Sequence, residues 1–345
     1  MSPLATTIIL SSLATGTIIT ASSYHWVMAW IGLEMNTLAI IPIISQEHHP
    51  RATEAATKYF LTQATASALI LFSSSLNAWK TGTWDITQMT NPTANTLLIT
   101  ALALKLGLAP MHFWLPEVLQ GSTMKTALII STWQKLAPMT LIFLTMNNLS
   151  TTILLTTGAA SALIGGWAGL NQTQTRKIMA YSSIAHLGWM VTITTTLTNV
   201  MTVALMMYLL MTTTMFSTLI LSKAKTIQNT ATSWTTSPTL VIMMMLTLLS
   251  LGGLPPLSGF LPKWLILEEL ITQNFIPTAI TIALSSLLSL FFYLRLTYTA
   301  ALTTSPNTIQ TKHKWRLKPN TSNITLSFTI PMTTMMLPLS PLIMN

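Results

Sequence analysis

Four ionisable side chains, Glu34, Lys105, Lys135 and Lys263, fall inside or beside stretches of the chain that are otherwise apolar. A charge at the centre of a bilayer costs about 3 kcal/mol or more unless it is paired or hydrated, so such residues are functional candidates by default. Lys135 lies about eleven residues from either end of its apolar run, roughly 17 Å of helix, which is beyond the reach of a snorkelling lysine. It must face protein or water. Glu34 is comparably deep. Displacing a carboxylate from a buried lysine switches that lysine between charged and neutral forms, which is the chemistry of a proton-loading site. His112 and His186 fall at similar depth, where an imidazole accepts a proton on one nitrogen while donating from the other. Each is a candidate relay, and a hydrogen-bonded structural role is the alternative. Arg295, Glu117, Glu268 and Glu269 lie nearer to segment ends and read as interfacial.

Lys105 and Lys263 flank points where a helix must break. Pro110 deprives the Leu106 carbonyl of its helical donor, Pro116 does the same to His112, and Gly107 loosens the turn between them. Pro255, Pro256, Gly252, Gly253 and Gly259 act likewise in the second region. Open backbone at that depth is tolerated only inside protein or beside water, so both breaks are expected to point inward. Each ammonium is then expected where freed carbonyls and water can solvate it. A simple structural kink is the alternative for either helix taken alone.

The elements that must position these groups are membrane helices. Only 7% of the 345 residues are charged and 50% are hydrophobic, whereas soluble domains carry about 25% charged residues. Helices of about 20 residues leave room for about 11 spans and no separate soluble domain. They are expected near 3–22, 24–45, 57–79, 95–120, 124–147, 150–170, 175–196, 199–223, 238–271, 275–301 and 323–343. The expected fold class is all-α: one transmembrane bundle over 1–345, with discontinuous helices near 105–116 and 252–263. Arg51, Lys58, Lys125, Arg176, Lys177, Lys223, Lys225 and the basic run 312–318 then share one side, against Lys80 alone on the other. That asymmetry predicts an N-terminus on the inner side.

The chain is expected to repeat, with a first copy over about 1–147, a second over about 150–301 and a C-terminal helix over about 323–343. Leu104-Lys105-Leu106-Gly107 through Pro110 to Leu115-Pro116 matches Leu249-Ser250-Leu251-Gly252 through Pro255 to Leu261-Pro262, with one extra residue inside the second copy. The two copies fall in spans four and nine and so run in opposite directions, as inverted repeats do in transporters.

Several functions are excluded. The absence of cysteine rules out disulfides, thiol catalysis and cysteine ligation of zinc or iron–sulfur clusters. Haem would need facing axial ligands, and only two histidines are deep. No cofactor or metal is therefore expected on this chain. Apart from the run 312–318, the basic residues behind the net charge of +9 are spread singly through short loops with no folded domain to present them, so nucleic acid is not an expected partner. The apolar run starting almost at once predicts no removable import signal.

The residues Trp30-Ile31-Gly32-Leu33-Glu34-Met35-Asn36, Lys105-Leu106-Gly107, Pro110-Met111-His112-Phe113-Trp114-Leu115-Pro116-Glu117, Trp133-Gln134-Lys135, Tyr181-Ser182-Ser183-Ile184-Ala185-His186 and Gly252-Gly253-Leu254-Pro255-Pro256 together resemble the antiporter-like subunits of respiratory complex I. The resemblance covers essentially the whole chain and is similar to the animal mitochondrial form, which lacks the first three of fourteen bacterial spans. It implies that Glu34 and Lys105 form a central carboxylate–lysine pair, Lys135 a connecting lysine and Lys263 the lysine toward the outer exit. It further implies a mitochondrial inner-membrane location, other membrane-arm subunits, lipids, protons and water as partners, and no direct NADH or iron–sulfur binding. The subunit would be enzymatic only within a proton-pumping NADH:ubiquinone oxidoreductase. A stand-alone cation/proton antiporter and a membrane-arm component with inactive charges are the rival readings.

Overall fold

The computed structural model describes residues 2–194, 196–302 and 324–339. They form, in chain order, α1 (Pro3–Ser22), α2 (Trp26–Ile44), α3 (Pro50–Thr81), α4 (Pro92–Leu106), α5 (Trp114–Gly121), α6 (Met124–Ser131), α7 (Trp133–Thr145), α8 (Thr151–Gly169), α9 (Thr175–Ile193), α10 (Thr198–Ser222), α11 (Ile227–Thr236), α12 (Pro238–Gly252), α13 (Phe260–Thr272), α14 (Ile276–Leu302) and α15 (Ile324–Met335). Among the described residues the fold is all-α, with isolated bridges at His25–Asp85 and Gln174–Thr226.

The segments Pro3–Ser22, Trp26–Glu47, Met124–Thr145, Thr151–Gly169, Thr198–Ser222 and Ile276–Leu302 are each long and apolar enough to cross a membrane. The other expected spans differ for local reasons. Helix α3 begins at Pro50 rather than near 57, because His49 Nδ1 accepts from the Arg51 amide and Pro50 occupies the first turn. Arg51, Glu54 and Lys58 thereby join the helix. Spans four and nine are each two half-length helices, as expected. A further interruption, not expected, separates α6 from α7. There Thr132 Oγ1 and the Thr132 amide both donate to the Leu128 carbonyl, at 2.7 and 3.0 Å. Helix α11, rich in Thr and Ser, fills the connection between the expected spans 199–223 and 238–271. Helix α15 ends at Met335, followed by a 3-10 turn over Leu337–Leu339. The basic cluster 312–318 and the expected end of the last span, 340–343, lie outside the described residues.

Threonine and serine inside these helices donate to carbonyls about one turn earlier, as Thr17 does to Ala14 and Ser73 to Ile70, both at 2.8 Å. Helix α14 is inside out by the standards of a water-soluble protein. It buries Ser285 and Ser289 and exposes Ile280, Leu284, Leu287 and Phe291, which recur at helical spacing along one face. Lipid satisfies that apolar face, while the small polar residues allow close helix packing.

The chain forms two compact units. The first comprises Met1–Ala162 with Leu187–Thr198, and the second Leu163–His186 with Asn199–Asn345. In the first, α1 packs on α2, and α3 packs on α2, α4 and α5. A Cβ on Gly16 would lie 2.9 Å from the Gly32 carbonyl, so glycine sets the approach of α1 to α2. In the second, α12 packs on α14 and α15, and both α11 and α13 lie on α14.

Candidate functional site

The break in the first unit starts at Gly107, whose φ of 75° ends α4 in a left-handed cap. Its amide and that of Leu108 both donate to the Ala103 carbonyl, at 2.8 and 2.9 Å. The remaining carbonyls of the last turn find side chains from further along the sequence. Trp114 Nε1 donates to the Leu104 carbonyl at 3.0 Å, and Lys135 Nζ donates to the Leu106 carbonyl at 2.6 Å. The Lys135 ammonium also lies 5.5 Å from the centre of the Trp114 ring. Lys135, only 1% exposed, therefore takes the carbonyl that Pro110 freed.

Lys105 does not take a freed carbonyl, contrary to expectation. Its side chain leaves the last turn of α4 and its Nζ has no hydrogen-bond partner within the protein. A carbonyl one residue away on its own helix turn points along the axis, out of reach of that side chain, whereas α7 approaches the helix end from outside. Glu34 Oε2 is likewise buried and unpartnered. The Glu34 charge acts on Lys105, but no direct ion pair joins them. Lys105 instead lines a cavity of about 10 Å³, enough to hold roughly one water. Asn36, Gln63, Gln134 and Lys135 share that lining. Both polar atoms of Asn36 and the Nε2 atoms of Gln63 and Gln134 lack protein partners, so amide donors and an acceptor converge on one spot beside the ammonium. His112 sits in the linker before α5, buried, with its ring 4.3 Å from that of Phe113.

The second unit repeats the cap. Gly253, with φ of 76°, ends α12, its amide donating to Ser250 and that of Leu254 to Leu249. The repeat read from sequence needs correction by one residue. The residue with positive φ corresponds to Gly107, and it is Gly253 rather than Gly252. Gly107 then matches Gly253, Leu115 matches Leu261 and Pro116 matches Pro262 in one unbroken register, with no extra residue between them. Both crossings contain a cis peptide bond, Ala109–Pro110 and Pro255–Pro256. Lys263 Nζ donates to the Gly252 carbonyl at 2.7 Å, as expected for that lysine. Its charge acts on His186, whose Nε2 lies 3.5 Å from the Tyr293 hydroxyl and whose ring is 5.9 Å from that of Tyr208.

Arg295 Nη1 donates to the Leu170 carbonyl at 2.7 Å, just past the end of α8. Glu117 is exposed and pairs with Lys58 at 2.7 Å, and Lys58 also pairs with Glu54 at 2.6 Å. The polar groups that sequence reasoning missed are Asn36, Gln63, Gln134, Tyr208 and Tyr293. The available signal was the same as for the charges: amides and phenols in the middle of apolar runs need partners there.

Buried ammonium groups on the carbonyls of broken membrane helices are a transporter's equipment. The NADH:quinone oxidoreductase/Mrp antiporter transmembrane family matches residues 23–289 and sets the chain in that class of membrane protein. NADH dehydrogenase subunit 2 C-terminus matches residues 290–344. Chain 2 of NADH-ubiquinone oxidoreductase from Varanus timorensis is 56% identical over 345 residues, covering 100% of both chains. The chain 2 of Danio rerio is 54% identical over 344 residues, covering 100% of this chain and 99% of the relative. A chain of respiratory complex I from Thermus thermophilus, solved with bound aureothin, superposes with a TM-score of 0.86 at 26% identity, covering 97% of this chain and 78% of that one. The protein thus belongs to the NADH-ubiquinone oxidoreductase chain 2 family, the antiporter-like membrane subunits of respiratory complex I.

Proposed function

We propose that this subunit carries protons through its own buried charges, with Lys105 as the loading site, Glu34 as the carboxylate that governs it, Lys135 as the next station and Lys263 as the lysine toward the outer exit. Redox energy released in another subunit alters the Glu34–Lys105 interaction, and a proton then leaves Lys105. His112 and His186 act as relays. The chain itself binds no redox cofactor, metal, NADH or iron–sulfur cluster. Its partners are other membrane-arm subunits, lipids, water and the proton. It lies in the mitochondrial inner membrane with its N-terminus on the matrix side, the side that collects Arg51, Lys58, Arg176 and Lys177 in an eleven-span topology.

The observation that carries this reading is the environment of Lys105. An ammonium 4% exposed, with no protein partner, beside a one-water cavity and within the field of Glu34, is costly as pure structure. It is economical as a group that must gain and lose a proton. The test is Lys105→Met in the assembled enzyme, with NADH oxidation and pumped protons measured together in sealed vesicles. The expected result is a recoverable complex that pumps fewer protons per NADH. An unchanged ratio would overturn the proposal.

A further inference from the structure

Three carboxamides line the cavity beside the Lys105 ammonium, and the proposed path uses none of them. Asn36 comes from α2, Gln63 from α3 and Gln134 from the first turn of α7, so three separate helices deliver them to one small space at the end of α4. Asn36 and Gln63 are 2% and 4% exposed. Among the described residues, both amide atoms of Asn36 and the nitrogens of Gln63 and Gln134 have no hydrogen-bond partner, and neither has the Lys105 ammonium. The Gln134 oxygen is taken by the buried Tyr59 hydroxyl, which donates to it at 3.4 Å. Leaving a buried amide unpaired is costly, so a single small ligand with both protons and lone pairs would satisfy several of these groups at once. A cavity of about 10 Å³ admits roughly one water, which makes about three hydrogen bonds to groups of this kind.

Carboxamides suit this place for a chemical reason. They offer donors and an acceptor without titrating, so they orient a water but do not capture the proton it passes on. A carboxylate in their place would clamp the ammonium in an ion pair. Lys135 lines the same cavity, and its Nζ sits on the carbonyl of Leu106, the residue after Lys105. We infer that Asn36, Gln63 and Gln134 are positioning residues that hold one water between Lys105 and Lys135, and that the proton passes from the first lysine to the second through it. In this step the Lys105 ammonium gives a proton to the water as the water gives one of its own to the neutral amine of Lys135. Lys105 ends as the amine, Lys135 as the ammonium, and the water is unchanged. Like charges on one small cavity repel, which favours a single proton shared between the two lysines.

The inference rests on the reading of Lys105 as the loading site, and the experiment separates the two. The assembled complex is imaged at a resolution that shows ordered waters, unaltered and as Gln63→Leu, which keeps the volume but removes the amide. Both forms and Lys105→Met are assayed in sealed vesicles for protons pumped per NADH. The unaltered complex is expected to hold a water within hydrogen-bond distance of Lys105 Nζ and of at least two of the three carboxamides. Gln63→Leu is expected to lose that water and to pump fewer protons per NADH. The absence of such a water from the unaltered complex would overturn the inference. So would a lowered ratio in Gln63→Leu with the water still in place, since the role would then be one of packing. If Lys105→Met lowers the ratio and Gln63→Leu does not, the loading site stands and the cradle falls. If Lys105→Met leaves the ratio unchanged, the loading site itself fails and the inference falls with it. Should Gln63→Leu fail to assemble, Gln134→Leu decides by the same two measurements, because that residue is only half-buried.

Discussion

The two broken helices share a backbone device and differ in the chemistry hung on it. In each unit a left-handed glycine ends the first half-helix, and a lysine ammonium takes the carbonyl just before that glycine: Leu106 for Lys135 and Gly252 for Lys263. The lysine arrives from α7 in the first unit and from α13, the second half of the same broken span, in the second. In register, Lys263 corresponds to Glu117, which instead faces outward and pairs with Lys58, and Lys105 corresponds to Leu251. The first unit thus adds an ammonium and a carboxylate around a cavity, while the second adds an imidazole between two phenols. The backbone break supplies an acceptor for a buried ammonium, and the side chains around it decide what that ammonium can exchange protons with.

The largest effect is expected at Gly259, whose counterpart in the first unit is Phe113, a side chain 70% exposed. A Cβ on Gly259 would overlap the backbone of Ser250, so Gly259→Ala should cost on the order of 3 kcal/mol or more. The amount of assembled complex on native gels should fall sharply, whereas Phe113→Ala should assemble normally. Equal assembly of the two would mean that α12 and α13 do not meet as closely as described.

A smaller and more selective effect separates the cap glycines. Alanine at either should cost roughly 1 kcal/mol for the left-handed conformation alone. At Gly107 the new Cβ meets Leu115 Cδ1 at 3.1 Å, a side-chain end that can yield. At Gly253 it meets Lys263 Cδ and Nζ at 2.7 and 2.9 Å, and so pushes the ammonium off the Gly252 carbonyl. Thermal inactivation should shift similarly for Gly107→Ala and Gly253→Ala, while protons pumped per NADH should drop further for Gly253→Ala. Indistinguishable pumping would dissociate the cap from the lysine.

The smallest effect is expected at Lys58, which stands 41% exposed between two carboxylates. Solvent screens exposed ion pairs, so Lys58→Ala should leave both thermal inactivation and pumping within error. A marked loss of pumping would show that the outward Glu117 is not the inert counterpart of Lys263.

Much of this architecture was legible in the residues. The breaks at 107–110 and 253–256 follow from proline and glycine chemistry that acts within a single turn. The interruption before Lys135 was not legible, because Thr132 and its hydroxyl bond to Leu128 look no different in sequence from the many threonines that sit quietly inside these helices. The one-residue shift of the second cap was hidden for a related reason. Gly252 and Gly253 are both competent, and only the observed positive φ distinguishes them.

Composition and residue spacing suffice to establish an all-α membrane chain with two interrupted spans and a few charges too deep to reach water along their own helices. Hydrocarbon cannot satisfy open backbone, so composition leaves little choice of secondary structure. Which groups meet was decided only by tertiary structure. That Lys135 rather than Lys105 holds the Leu106 carbonyl, that Asn36, Gln63 and Gln134 converge beside Lys105, and that Tyr293 reaches His186 all depend on contacts between residues tens of positions apart. Helical periodicity predicts which way a side chain leaves its own helix, but the partner it finds is set by how neighbouring helices pack.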